Sequence, residues 1–362
     1  MTALPDRLAA RTLELVDIPS ESGHEERIRE HVQALVPATL ELEFGRDDAL
    51  LFVPDRRPDA PLVVLAGHYD TVPAQGNLPG RIADGAVHGL GASDMKGGLA
   101  VAVELVRDLA AHGGLPYDVA LLLFGREELP PEQNPLPALL AESRAIHDAG
   151  LVVLLEPTEG TIQAGCLGNV VARVTFRGTG GHSARPWAAT NAIALAVEAL
   201  GPILAHTARE TLVGGLRFVE TVTPTRVHAG IADNVIPGEA TVTLNFRYAP
   251  DRTPEDADAT LRALVPADAD LEIVGNAAAA RVVSDSPLVS ALRAAGDLAL
   301  EPKLAWTNVA DFTAVGIDAV NFGPGHTAFA HRRDEKVEVA ALVHAYETLR
   351  RFLTGSIGED AA

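Results

Sequence analysis

The chain has 362 residues, 47% hydrophobic and 22% charged, with a formal net charge of −20. These values describe a globular protein with room for two domains. The charge argues against nucleic acid as a partner, because binding phosphate needs a basic surface, and no apolar run approaches the roughly 20 residues of a membrane helix. A single cysteine, Cys166, rules out an internal disulfide framework. With no basic-then-apolar leader after Met1, the expected location is the cytoplasm.

Residues 8–16 carry an apolar period near 3.6, the mark of a first helix. Ser22-Gly23-His24-Glu25 reads as a capping box opening a second helix, whose apolar face is Ile28, Val32, Leu35 and Val36. Residues 40–44 and 50–53 predict paired short strands. Leu62-Val63-Val64-Leu65-Ala66 predicts a buried strand that breaks into Gly67-His68-Tyr69-Asp70-Thr71-Val72-Pro73. A long Gly- and Pro-rich loop carries Asp70 and His88. It leads through Gly91-Ala92-Ser93-Asp94-Met95-Lys96-Gly97-Gly98 into an apolar helix over 98–111. A buried strand over 119–124 ends in Gly125-Arg126-Glu127-Glu128, residues 136–147 are helical, and a third buried strand over 151–155 ends in Glu156-Pro157-Thr158. Strands alternating with helices in this way predict a mainly parallel sheet covered on both faces.

After Glu156 the texture changes. Residues 170–177 alternate like an antiparallel strand, the turn Gly178-Thr179-Gly180-Gly181-His182-Ser183 follows, and 188–205 predict a helix. Strands over 216–222 and 240–248, a helix over 254–264 and a strand near 271–274 complete a β-α-β-β-α-β order, that of a split-βαβ, ferredoxin-like sandwich. From Ser284 the α/β texture resumes and ends in a helix over 337–353. The expected architecture is therefore an α/β domain of residues 1–169 and 284–362, interrupted by a ferredoxin-like α+β domain over 170–283.

Three strand ends deliver His68 and Asp70, Glu127 and Glu128, and Glu156. A helix mouth delivers Asp94, and the late loop from Gly323 to Ala330 delivers His331. Imidazole with several carboxylates suits zinc or a similar divalent ion, and in open α/β sheets ligands bind at this end of the strands. Singly, each residue has a plainer reading. Asp94 serves equally well as an N-cap, Glu127-Glu128 as a solvated turn, and a lone histidine as a structural group. Jointly those readings fail, because so many buried acids without a counter-cation would cost several kcal/mol per ion. Gly89-x-Gly91 lacks the full dinucleotide fingerprint, and Ser183 follows a histidine rather than sitting in a Gly-x-Ser-x-Gly elbow.

The blocks Gly67-His68-Tyr69-Asp70-Thr71-Val72-Pro73, Gly91-Ala92-Ser93-Asp94-Met95-Lys96-Gly97-Gly98, Glu127-Glu128, Glu156-Pro157-Thr158, Gly181-His182-Ser183-Ala184 and Ala330-His331-Arg332-Arg333-Asp334-Glu335 resemble, in order, the signature blocks of the M20 metallopeptidase family. The resemblance implies a catalytic domain with two zinc ions per subunit, Co2+ being a possible substitute, bridged by Asp94. His68 and Glu156 would complete one site, Glu128 and His331 the other. Asp70 would orient the His68 imidazole, and Glu127, left without a metal to bind, would be the general base. A cis peptide is implied at Asp94-Met95.

The inserted domain would be a lid and dimerisation module. From it, His182 would donate to the tetrahedral oxyanion, often across a homodimer, and Asn234, Arg247 and Arg185 would contact the substrate. A surface salt bridge remains the alternative for Arg247. The implied substrate is a small N-acyl amino acid. Ala164-Gly165-Cys166, His182-Ser183-Ala184-Arg185-Pro186-Trp187, Thr307-Asn308-Val309-Ala310-Asp311-Phe312 and Asn321-Phe322-Gly323-Pro324-Gly325 are similar to the family's actinobacterial-type succinyl-diaminopimelate desuccinylases. Where the Gram-negative branch has arginines ahead of the inserted domain, Cys166 and Leu167 stand here, so the succinyl carboxylate would fall to Arg185 or Arg247. Deacylases of N-acetylornithine or other N-acyl amino acids, and M20 carboxypeptidases, are the alternatives. A non-catalytic binder on the same scaffold would have no use for Glu127.

Overall fold

The apolar runs become the centre of one sheet. Leu62–His68 and Asp118–Phe124 are buried along their whole length and Ala149–Pro157 along all but its first two residues, as strands covered on both faces must be. In the computed structural model, which describes residues 3–205 and 208–356, these strands pair in parallel, with Leu62 opposite Asp118, His68 opposite Phe124 and Leu65 opposite Val153. Ala319–Gly323 joins Ala149–Pro157, also in parallel. The antiparallel hairpin of Leu40–Arg46 and Ala49–Pro54 extends the sheet beside Asp118–Phe124. Because the central strands run the same way and in register, the residues that follow them emerge along one edge. That edge is where His68, Glu127, Glu128 and Glu156 stand.

The chain divides into two units. The first runs through Ala164 and resumes over Val283–Glu301 and from Asp311; the second takes Gly165–Val282 and Pro302–Ala310. In the first, the helix Gly97–Leu109 packs on the sheet and against Leu4–Val16 and Val339–Thr354. Gly98 permits that approach, since a Cβ there would lie 2.3 Å from the Leu155 carbonyl oxygen. The helix thus sits close on the strand that ends in Glu156.

The second unit holds a four-stranded antiparallel sheet in the order Thr221–Ala229, Glu239–Tyr248, Gly168–Arg177, Asp270–Ala277. This is the ferredoxin-like order. Buried residues alternate along Gly168–Arg177, and Val170, Val174 and Phe176 pack with Ala196 and Ile203 of the helix Ala192–Leu204. The second helix, Pro254–Leu264, opens on a reciprocal Thr253–Asp256 capping box. Among the described residues no helix is long and apolar enough to cross a membrane.

Three local expectations are corrected. The Ser22–Glu25 capping box does not form: the helix starts at Glu26 without a side-chain cap, and the Ser22 hydroxyl donates instead to Asp70 Oδ2 at 2.6 Å. The helix expected over 136–147 breaks at Ser143, whose Oγ caps a new turn by accepting from the Ile146 N–H. The strand expected over 216–222 is two strands, Leu216–Val219, hairpinned to Glu210–Val213, and Thr221–Ala229.

Candidate metal centre

Five of the side chains picked from the sequence converge in the first unit as two groups. His68, Asp94 and Glu156 form one, Asp94, Glu128 and His331 the other, and within each group the donor atoms lie within 4.8 Å of one another. His68 Nε2 is 3.2 Å from Asp94 Oδ1 and 3.7 Å from Glu156 Oε1. His331 Nε2 is 3.5 Å from Asp94 Oδ2 and 2.7 Å from Glu128 Oε1. Asp94 therefore presents one oxygen to each group, as a bridging ligand must. Donors held about 2.1 Å from a tetrahedral ion sit roughly 3.4 Å apart, so most of these separations suit a divalent cation. Among the described residues, no lysine or arginine forms a salt bridge with Asp70, Asp94, Glu127 or Glu128; the ion-pair partners of Asp70, Asp94 and Glu128 are the two imidazoles. Two imidazoles among so many carboxylates are a donor set that fits a divalent metal ion.

His68 and Glu128 are held from behind by Asp70. His68 is fully buried, and its Nδ1 lies 3.3 Å from Asp70 Oδ1, leaving Nε2 for the cluster. Asp70 also accepts from the backbone N–H of Glu127 at 3.1 Å and of Glu128 at 3.2 Å. The strand end reaches these glutamates through Arg126, whose φ of 58° lies in the left-handed region. The Arg126 N–H bonds Glu25 Oε1 at 3.2 Å and its guanidinium pairs with Asp48. His331 likewise has a φ of 60°. Such backbone persists only where surroundings over-determine it, and it concentrates at functional sites. The Asp94–Met95 peptide is cis, as the resemblance implied.

The electrostatics of the cluster are set by burial against the histidine–carboxylate contacts. Burial works to raise Asp94, but hydrogen bonds with His331 and His68 outweigh it and hold the carboxyl well below the usual range. Burial works to lower His68, and Asp70 and Asp94 override it, so the imidazole is raised. His331 is pushed up to about 10 by Asp94 and Glu128. Glu127 belongs to neither donor group. Burial, aided by Glu156, Glu128 and Asp94 against the opposing pull of His68, raises its pKa well above the ordinary value.

The remaining picked residues lie in the second unit. His182 is on the two-residue strand paired with Val235–Ile236, and its Nδ1 accepts from the Ala184 N–H at 3.0 Å. The backbone ties Ser183 N to Asn234 O at 3.0 Å and Arg185 N to His182 O at 2.8 Å. Arg185 and Asn234 are exposed. Arg247 is half-buried, donates from Nε to Asn245 Oδ1 at 3.0 Å and has no carboxylate partner among the described residues. Burial lowers its pKa. Sequence reasoning gave no role to Glu335, buried to 2% exposure and bonded to the turn that carries Asp94.

A mainly parallel sheet with this donor set at its strand ends is the arrangement of a metallohydrolase. Residues 64–355 match the pattern of peptidase family M20/M25/M40, and the chain belongs to that family of enzymes. It is 38% identical over 346 residues to a Mycobacterium tuberculosis protein named putative succinyl-diaminopimelate desuccinylase DapE, with 95% of this chain and 97% of that one covered. It is 36% identical over 359 residues to the succinyl-diaminopimelate desuccinylase of Corynebacterium glutamicum, covering 95% of each. Among solved structures, the aminopeptidase PepT of Bacillus cereus superposes with a TM-score of 0.78 at 20% identity, covering 97% of this chain and 98% of that one, a likeness of fold.

Proposed function

We propose that the protein is a two-zinc amidohydrolase that cleaves N-succinyl-L,L-diaminopimelate to succinate and L,L-diaminopimelate. The observation that carries this reading is the pair of donor groups sharing Asp94, with Glu127 buried beside them and committed to neither. The relatives in Mycobacterium and Corynebacterium, matched over nearly their full length, support the succinyl substrate.

His68 and Glu156 would hold one ion, Glu128 and His331 the other, with Asp94 between them. When bound, the ions supply Lewis acidity to the scissile carbonyl and to the attacking water. Glu127 takes the proton of that water and delivers it to the leaving nitrogen as the C–N bond breaks, which is work for a carboxylate with a raised pKa. Asp70 holds both His68 and the Glu127–Glu128 turn in place. With His182 Nδ1 accepting from the Ala184 amide, the neutral ring carries its proton on Nε2, the tautomer needed to donate to an oxyanion. Arg247, half-buried and without a carboxylate partner among the described residues, suits a bidentate clamp on a substrate carboxylate; Arg185 and Asn234, both exposed, would add further substrate contacts.

In this reading the first unit is the catalytic domain and the second a lid through which two copies pair. Thr221–Ala229 is an edge strand, and Val227 on it and Ile193 and Val197 on the adjacent helix are 57%, 42% and 64% exposed. An edge strand with exposed apolar groups calls for a partner, and a second copy fits. A small polar substrate and the single buried thiol of Cys166 agree with work in the cytoplasm.

The test is succinate release from N-succinyl-L,L-diaminopimelate by zinc-loaded protein, with N-acetylornithine run in parallel. Release from the succinyl substrate that stops on chelation supports the proposal. Turnover of acetylornithine alone overturns the substrate, and turnover that survives metal removal overturns the mechanism.

A further inference from the structure

Glu335 sits four residues beyond His331 and is 2% exposed. Its carboxylate reaches the other loop of the site. Oε1 accepts from the N–H of Ser93 and of Asp94, each at 3.0 Å, and Oε2 from the N–H of Gly91 at 2.9 Å. Those amides stand at the start of the helical turn Ala92–Lys96, where N–H groups have no acceptor within the turn. Burying a carboxylate is unfavourable unless its lone pairs are met, and here both oxygens are spent on the segment that presents the shared ligand Asp94.

A second contact joins the same two loops. Ser93 Oγ donates to the His326 carbonyl at 3.1 Å and accepts from the His326 N–H at 3.1 Å. Gly325 makes room for it, with a φ of 95° and space that a Cβ would close to 2.6 Å from Ser93 Oγ. On the outer side, Gln75 and Asn77 donate to the carbonyls of His331 and Arg332 at 3.0 and 3.3 Å. The loops bearing Asp94 and His331 are thus tied together, and Glu335 is the only charged group among these ties.

We infer that Glu335 is a positioning residue that sets Asp94 against His331 and thereby fixes the affinity of the Asp94–Glu128–His331 group for its metal ion. The inference rests on the two-ion reading above and deepens it. Glu335 belongs to neither donor group and bonds the Asp94 N–H, so it acts through the Asp94 backbone. Partners that orient metal ligands typically contribute about 10–100-fold in affinity.

The test is stepwise Co2+ titration of the metal-free full chain, read by d–d absorption and calorimetry, on the wild type, Glu335→Gln and Glu335→Ala. The effects should be graded. Gln keeps one acceptor oxygen for Ser93 and Asp94 but turns an NH2 toward the Gly91 N–H, so one Co2+ step should weaken by about tenfold. Ala leaves all three amides without an acceptor, and the same step should weaken by about 100-fold. The d–d band of the weakened site should shift in both. Asp118→Asn, remote from the site, is the control for lost stability alone and should leave both binding steps unchanged. If the Ala variant does not fold by circular dichroism, the Gln variant decides. Wild-type protein that binds two ions while folded Glu335→Gln binds them with equal affinity and spectrum overturns the inference alone. Wild-type protein that binds no divalent ion overturns the two-ion reading and this inference with it.

Discussion

Asp70 and Glu127 are joined through one carboxylate: Asp70 Oδ1 accepts from the Glu127 N–H at 3.1 Å while lying 3.3 Å from His68 Nδ1. A single buried anion thus holds a proposed metal ligand and the backbone of the proposed base. Its other oxygen accepts from Glu128 N and from Ser22 Oγ. Asp70→Asn keeps the shape but offers one acceptor oxygen and turns an NH2 toward a donor. The variant should lose about 10–100-fold in kcat or metal affinity while Ser22→Ala loses less, both followed by turnover and metal content. An Asp70→Asn enzyme with unchanged kcat and metal content would contradict this.

The role of Glu127 predicts the acid side of the pH profile. A general base works deprotonated, so kcat/KM rises as pH rises through its pKa. Burial pushes that value up and bound cations would pull it down, so the profile should show an acid limb whose midpoint reports the balance of the two. A profile with no acid limb would contradict the assignment of Glu127.

If His182 serves the site of the partner copy, two dead enzymes should rescue each other. On that proposal the His182→Ala and Glu127→Gln proteins should each be inactive, but a mixed dimer would have one site with both residues intact. Subunit exchange at equal amounts should restore about one quarter of wild-type activity. No recovery despite exchange, seen by mass spectrometry, would place His182 in its own subunit's site. Val197→Glu should abolish dimers in light scattering.

Away from the site, Asp118 tests the account of the first unit. It is 4% exposed and accepts from Arg56 Nε at 3.0 Å, Arg57 N at 2.8 Å and Arg57 Nε at 2.7 Å. Burial works to raise its pKa and these bonds override it, leaving the carboxyl depressed. A depressed folded-state pKa stabilises above the unfolded value and is lost as pH falls through the folded one. Asp118→Asn should therefore cost about 1–3 kcal/mol at neutral pH, and the gap to wild type should narrow only below about pH 4. Urea unfolding followed by circular dichroism across pH measures both. A gap that widened in acid would contradict the sign.

The strands were legible because burial on both faces demands continuous apolar runs, and Leu62–His68, Asp118–Phe124 and Ala149–Pro157 have them. The candidate donors His68, Glu128 and Glu156, and the proposed base Glu127, stood out for the converse reason: they are polar groups placed where such runs stop. Glu335 was not, because in Arg332-Arg333-Asp334-Glu335 it reads as one more surface charge, and only the fold brings Gly91, Ser93 and Asp94 to it. Ser22 carried a helix-cap pattern, and a tertiary acceptor, Asp70, outcompeted the local one. The hairpin before Thr221 had a signal in Gly214-Gly215, both at positive φ, the turn chemistry that tight hairpins favour. The grouping of 302–310 with the second unit has no local signature in the sequence.

The central claim is that Glu127 moves the proton while five other side chains hold the metal. It is tested most directly by measuring, on the same preparations, bound metal and turnover of N-succinyl-L,L-diaminopimelate for wild type and Glu127→Gln. The account predicts two ions per chain in both, with turnover in the variant reduced by about 10²–10⁴-fold or more. Full turnover in Glu127→Gln, or loss of turnover that merely follows loss of metal, would contradict it.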